Sequence, residues 1–408
     1  MPKPIRPEIR SDVMGGDVTP YSCLLCGAIE WAELVEPHPR QSVRVDGVVE
    51  PRPLGRRQCR GCGVGFRIPK EDLEVMYRQD FALYSNRPGA DGFNRQRHPA
   101  LVDLIAKSIQ PLRPRRILEV GCGDGSTLSV IRELWPDAET VGLEPSRRAA
   151  EAARARGHWV IEGMAESSLD EEAEQRFDLI FSIQVIEHTA DPVSFLAAQA
   201  DYLAPGGVVV TICPNGAVPH AELIHVDHLF SFSPCHLAAV TARAGLIRHG
   251  GYEFFLDEAC EFNQLVVAGK ASDSKPAEIG LLPPIGQDEV DRLEEARNAY
   301  LRCWSRLEGE LSKRAEQCEA LICFGTGGWS ANLAGYAPAI WERVRASTVD
   351  NPATTTYMNK PVVDYTSVQK LEPDAVIVAV NPCRQEMVSR RLRRDGYHTI
   401  QWNDLIKR

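Results

Sequence analysis

The run Glu119-Val-Gly-Cys-Gly-Asp-Gly125 constrains this chain more than any other feature, because it closes one apolar run, RILEV (116–120), and opens a helical stretch at Ser126. Glycines at alternate positions between a strand and a helix allow a tight turn and let the backbone approach a ligand closely. The turn sits at the head of a repeating pattern. Short apolar runs at TVGLEP (140–145), WVIEGM (159–164), FDLIFSIQV (177–185) and GGVVVTICP (206–214) alternate with helical or loop stretches of crossover length. Strands alternating with helices predict an α/β fold on a mainly parallel sheet. A last pair, LIRHGGYEFF (246–255) and NQLVVAGK (263–270), is close enough in sequence to be antiparallel at the sheet edge.

The chain has 408 residues, room for several domains, and its 44% hydrophobic and 25% charged residues exclude wholesale disorder. No apolar run approaches the roughly 20 residues of a membrane helix. The N-terminus MPKPIRPEIR lacks the apolar core of a signal peptide, so a cytoplasmic protein with no membrane partner is expected. The net charge of −10 hides a slightly basic N-terminal segment, with 11 Lys/Arg against 8 Asp/Glu in residues 1–70. That excess is too small for a nucleic-acid partner, which needs a concentrated basic face.

Four of the twelve cysteines form two pairs, Cys23-x2-Cys26 and Cys59-x2-Cys62, in the contexts CLLCG and CRGCG. Two such pairs suit a tetrahedral four-thiolate zinc site of the structural kind, with no open position for water. The surrounding segment is rich in Arg, Pro and Gly and short of apolar runs, so it needs such a staple to fold. The other eight cysteines read as small buried thiols, and disulfides are not expected.

Beyond the first α/β unit, ASDSKPAEIGLLPPI (271–285) reads as a linker. Val290, Leu293, Ala296, Tyr300, Trp304, Leu307 and Leu311 then recur at helical spacing. ALICFGTGGWSANLAGY (320–336), VRASTVDN (344–351) and DAVIVAVNP (374–382) predict a second parallel sheet. The expected organisation is a zinc-binding unit over 1–78, the first α/β domain over 79–272, a linker and long helix over 273–316, and a Rossmann-like α/β domain over 317–408.

Glu144 at the end of the second strand, FDLIFSIQVIEH at the fourth and LAPGG (203–207) before the fifth complete the pattern of the glycine turn. Together they resemble the Rossmann-like methyltransferases that use S-adenosylmethionine (SAM). The resemblance implies that Gly121, Gly123 and Gly125 face the methionine part of SAM and that Glu144 binds both ribose hydroxyls. Glu119, Pro145, Ala165 and Gln184 are carried over as further cofactor contacts. Where many relatives have an acid before Ala-Glu, this chain has Met164 before Ala165 and Glu166.

His225-Val-Asp-His228 follows the fifth strand, where active-site residues of this fold collect, and its His225, Asp227 and His228 can supply a general base near neutral pH. A catalytic metal on this group is the weaker reading, because no other acid–histidine pair shows ligand spacing. His188, in the turn after strand four, and Tyr84, in FALYSN, are the other acceptor-side candidates. A four-cysteine unit, a SAM fold and a C-terminal α/β unit in that order resemble the sugar C-methyltransferases of deoxysugar pathways. That resemblance implies methylation beside a ketone of a nucleotide-linked sugar, although family members read Tyr-His-Glu-His at 225–228 and carry a lysine near the turn that here is Gly327-Gly328-Trp329. O- or N-methylation of another small molecule is the alternative, because it needs only deprotonation of an oxygen or nitrogen.

Overall fold

A computed structural model describes residues 22–80, 90–165, 176–256, 261–270 and 285–406. Its central sheet has seven strands, in the spatial order Leu246–Leu256, Glu261–Lys270, Leu203–Pro214, Phe177–Ile183, Arg116–Val120, Glu139–Glu144 and Trp159–Glu162. Glu261–Lys270 runs antiparallel to both of its neighbours. The other pairs are parallel. All five expected parallel strands are present, and LAPGG proves to lie inside the fifth strand, where the register shifts between Leu203 and Val208. From Arg116–Val120 the chain winds outward to Trp159–Glu162 and then returns to the other side at Phe177–Ile183. This reversal opens a crevice at the carboxyl ends of the two central strands, the usual ligand position in such sheets.

Helices cover both faces, and their starts follow local chemistry. Ser146 accepts from Ala149 N to cap Arg147–Ala155. Asp191 accepts from Val193 N and Ser194 N to cap Pro192–Asp201, with proline at its first position.

The second sheet has six strands, ordered Thr356–Tyr357, Lys360–Asp364, Val344–Val349, Leu321–Phe324, Ala375–Val378 and Thr399–Ile400. Only Thr356–Tyr357 is antiparallel to its neighbour. The three expected strands form its centre, and the flanking ones are too short or too proline-marked to show in the sequence. The helix Gln287–Arg314 joins the two sheets through a buried stripe that includes Val290, Leu293, Tyr300, Trp304, Leu307 and Leu311.

The segment before residue 80 is not appended to this body. Its four-stranded sheet consists of Trp31–Glu33, Arg56–Cys59, Gly65–Arg67 and, as fourth strand, Phe230–Ser231 from the loop beyond Leu203–Pro214. One hydrophobic cluster runs from Leu25, Val64 and Phe66 to Leu118, Phe177 and Leu203. A second joins Leu34, Val43 and Leu54 to Trp304, Leu321 and Ile377. The expectation of thiols alone fails at Cys383, which is disulfide-bonded; it was drawn from compartment, whereas geometry decides which sulfurs can join. Among the described residues no helix is long and apolar enough to cross a membrane.

Candidate active site

The glycine turn is tied to the end of the second strand. Gly121 N and Cys122 N both donate to Leu143 O, at 2.8 and 3.1 Å. Gly121 has φ 77°, and a Cβ there would stand 2.5 Å from Val185 Cγ2, so the turn and the loop after the fourth strand are in direct contact. Gly123 N donates to Glu144 Oε2 at 2.9 Å and Ser146 N to Oε1 at 2.8 Å. Glu144 is 7% exposed. Burial pushes its carboxyl up to about 7, against the pull of the two amides.

Pro145 lies half-buried beside Glu144. Gly125 precedes the helix Ser126–Leu134. Glu119 is 3% exposed with Oε2 unpartnered, and burial raises its carboxyl well above the usual range. Gln184 adopts φ 57°, a left-handed conformation uncommon outside glycine, and its Nε2 donates to Asn263 Oδ1 at 2.6 Å. Ala165 is buried just past Trp159–Glu162. A buried acid at the end of the second strand, an open carboxylate oxygen at Glu119 and a glycine turn at one sheet edge fit an adenosyl cofactor.

Immediately beyond Val185 lies a second group. The turn Ile186–His188 leaves one central strand, and the segment Ala221–His228 leaves its neighbour. His188 and His228 meet edge to face with ring centroids 4.6 Å apart, and His225 and His228 lie 5.3 Å apart. His188 Nδ1 lies 2.9 Å from Asp227 O and 2.9 Å from the Tyr77 hydroxyl. Asp227 Oδ2 is 3.8 Å from His188 Nδ1, whereas the carboxylate beside His228 Nδ1 is Glu222, at 3.7 Å.

Burial opposes charge on His228, but Glu222, Glu187 and Asp227 outweigh it and raise the imidazole. Burial also works against the Glu222 carboxylate, yet His228 and Arg56 hold it down to about 2. Glu187, Glu222 and Tyr77 are therefore site neighbours that the sequence reading passed over. Glu187 stands in the quoted IEH motif, but nothing in the spacing ties Glu222 or Tyr77 to the histidines. Tyr84 lies outside the described residues.

Other parts of the chain hold the histidine segment. Val226 N donates to Val43 O at 2.9 Å, and Val45 N to Asp227 Oδ1 at 2.8 Å. Arg56 Nη2 donates to His225 O and His228 O at 3.0 and 2.8 Å. Tyr336, from the C-terminal unit, donates its hydroxyl to Ile224 O.

The four paired cysteines gather as well. Cys23 Sγ and Cys62 Sγ are 3.6 Å apart, Cys26 Sγ and Cys59 Sγ 3.5 Å, and all four sulfurs lie within 4.8 Å of one another. Tetrahedral Zn–S bonds of about 2.3 Å imply sulfur separations of roughly 3.8 Å, so these residues fit such an ion. Gly61 N approaches Cys59 Sγ at 3.3 Å, the amide-to-sulfur contact of a metal knuckle.

Residues 93–247 match the methyltransferase domain family. The matched segment contains the glycine turn, Glu144 and the histidine group. Over 113 residues the chain is 33% identical to a ubiquinone biosynthesis O-methyltransferase of Bradyrhizobium sp. (strain ORS 278), covering 27% of this chain and 44% of the relative. A trans-aconitate 2-methyltransferase of Methylobacterium radiotolerans is 32% identical, covering 30% of this chain and 46% of the relative. The chain thus spans about half the length of the curated relatives it matches. Among solved structures, the neocarzinostatin O-methyltransferase NcsB1 bound to SAM is 20% identical with a TM-score of 0.33, covering 38% of this chain and 49% of that one. The glycopeptide N-methyltransferase MtfA with sinefungin is 15% identical with a TM-score of 0.36, covering 42% of this chain and 94% of that one. The matched segment has the α/β, Rossmann-like fold expected of it.

Proposed function

We propose that this chain is a SAM-dependent methyltransferase acting on a small molecule, with a nucleotide-linked sugar as the acceptor class. The observation that carries the reading is the juxtaposition, inside the matched segment, of the Glu144–Gly123 pair with a buried histidine–carboxylate group one loop away. Glu144 accepts the ribose hydroxyls, Gly121, Gly123 and Gly125 admit the methionine end, and Glu119, Pro145, Ala165 and Gln184 complete that side. SAM supplies an electrophilic methyl group on a sulfonium. The chain must align the acceptor and remove one proton, and the group around His228, with Asp227, His225 and His188, is the acceptor side that takes it. Zinc on Cys23, Cys26, Cys59 and Cys62 is a structural part of the same reading.

The sugar class rests on the order of the three units and on the C-terminal glycine turn. There the helix Gly328–Tyr336 begins two residues after Thr326, whose buried hydroxyl is unpartnered. A turn of this kind favours the phosphates of a nucleoside diphosphate. O-methylation stands beside C-methylation because Asp227 and His228 are present without the tyrosine of the sugar C-methyltransferases, and because the ubiquinone relative above is an O-methyltransferase.

Incubation with isotopically labelled SAM and a panel of nucleotide-linked keto and amino sugars, read by mass spectrometry, tests the proposal. Label transfer to at least one sugar is expected. Transfer only to acceptors without a nucleotide would refute the sugar class, and no SAM binding by calorimetry would refute the methyltransferase reading itself. Deuterium placed beside the ketone separates the chemistries: washout or a primary isotope effect marks C-methylation, and its absence marks transfer to oxygen or nitrogen.

A further inference from the structure

Glu187 is 1% exposed, and neither of its carboxylate oxygens has a hydrogen-bond partner. A buried, unsatisfied carboxylate is costly and demands an explanation. Its surroundings supply one. A Glu187 oxygen, one ring nitrogen of His188 and one of His228 lie within 4.8 Å of one another, all three side chains buried or nearly so.

His188 is also oriented in the manner of a metal ligand. Ligating histidines almost always direct their other ring nitrogen to a carbonyl or carboxylate, which fixes the tautomer and the ring. His188 Nδ1 lies 2.9 Å from Asp227 O. His228 Nδ1 faces Glu222 Oε2 at 3.7 Å. His188 is thereby fixed, and His228 keeps a buried ring nitrogen without a hydrogen-bond partner beside the orphaned Glu187 carboxylate. Glu222 is itself fixed, because Ser231 Oγ donates to its Oε1 at 2.7 Å.

We propose that Glu187, His188 and His228 bind one divalent first-row transition cation at the acceptor side of the methyltransferase site. Two imidazoles and one carboxylate leave coordination positions open, the pattern of catalytic rather than structural centres. An acceptor oxygen is the ligand those positions take, whether a hydroxyl to be methylated or a carbonyl whose neighbouring carbon is methylated. In either case the cation would lower the pKa of the group that loses a proton, and His225, beside His228 and outside the ligand set, would take it. This inference rests on the methyltransferase reading and gives His228 the role of ligand within the acceptor-side group. The ion is distinct from zinc in the four-thiolate site, since carboxylate and imidazole accept Mn²⁺ whereas thiolates select softer ions.

The test uses the full chain loaded with one equivalent of zinc, which the four thiolates take, and titrates Mn²⁺ while free Mn²⁺ is followed by electron paramagnetic resonance. One Mn²⁺ per chain is expected. Glu187→Gln and His228→Gln should each weaken Mn²⁺ at least tenfold, while SAM affinity in calorimetry stays within twofold. Thermal melts of both variants report folding. Should either variant fail to fold, His188→Gln and a competition between Mn²⁺ and Zn²⁺ on the wild type replace it. Absence of stoichiometric Mn²⁺ binding at millimolar concentration, or binding that Glu187→Gln leaves unchanged, overturns the cation site. SAM binding that persists in those circumstances leaves the methyltransferase reading standing, whereas loss of SAM binding by the wild type would overturn that reading instead.

Discussion

Glu144 carries a pH dependence whose sign follows from its burial. Its carboxyl stands near 7 in the folded chain without cofactor, above its ordinary 4.5. The protonated, buried form therefore favours the folded state below about pH 4.5, and that contribution is lost as pH rises through 7. Ribose hydroxyls require the ionised form as acceptor, so SAM affinity should rise by roughly tenfold between pH 6 and pH 8, the change in the ionised fraction of a group of pKa 7. Calorimetry at the two pH values checks this, and Glu144→Gln should flatten the dependence while weakening SAM at least tenfold, at about 1.5–3 kcal/mol per bond to a charged group. Glu144 was legible because it, the glycine turn and the first two strands form one local β-α-β unit whose geometry its spacing dictates. Glu222 was not. Its partner His228 is six residues on across an irregular turn, and no periodicity links the two. Asp227 looked like the orienting acid because it adjoins His228, yet its Oδ1 accepts from Val45 N, in a segment that only the tertiary fold brings near.

At the level of elements, the N-terminal segment and the C-terminal unit meet through a contact that excludes a side chain. A Cβ on Gly335, in the helix Gly328–Tyr336, would lie 2.1 Å from Val43 Cγ2, so the Val43 side chain of the strand Ser42–Val43 packs directly on the helix backbone. Gly335→Ala should then destabilise the chain by about 1–3 kcal/mol, the usual range for overpacking. A thermal melt reads this, and Val43→Ala added to it should recover most of the loss by removing the obstructing methyl. The sequence placed Gly335 inside the stretch 320–336 but not against Val43, since docking of distant segments leaves no local period. The long helix shows the same limit. Its apolar spacing was readable, whereas nothing in the pattern explains why Arg297, which falls on the same stripe four residues after Leu293 and three before Tyr300, is a charged residue buried at 0% exposure. Four acceptors from three segments explain its position: Gln58 Oε1, Gly63 O, Gly216 O and Ser231 O.

Across the whole molecule, the four-cysteine segment forms one wall around the proposed acceptor-side histidines. Arg56–Cys59 supplies both a proposed zinc ligand, Cys59, and Arg56, which holds the carbonyls of His225 and His228. Gly65–Arg67 pairs with Phe230–Ser231 two residues past His228, and His236 Nε2 lies 2.6 Å from Cys62 O. The cofactor side has no such dependence, because the glycine turn and Glu144 are bonded within the central sheet. A small segment stapled by a metal loses its fold with the ion. Removing zinc should therefore separate two functions that share one crevice. Cys59→Ser, or wild-type chain stripped with a strong chelator, should lose its equivalent of zinc and at least 10²-fold of methyl transfer, the low end of the usual cost of a misplaced base. SAM affinity should fall by less than about threefold, a difference under 1 kcal/mol. Metal analysis, a labelled-SAM assay with the acceptor found in the sugar screen, and calorimetry read the three quantities on the same preparation. Equal losses of SAM binding and turnover would mean that the segment supports the central sheet itself, and unchanged turnover would mean that the histidine segment holds its shape without the wall.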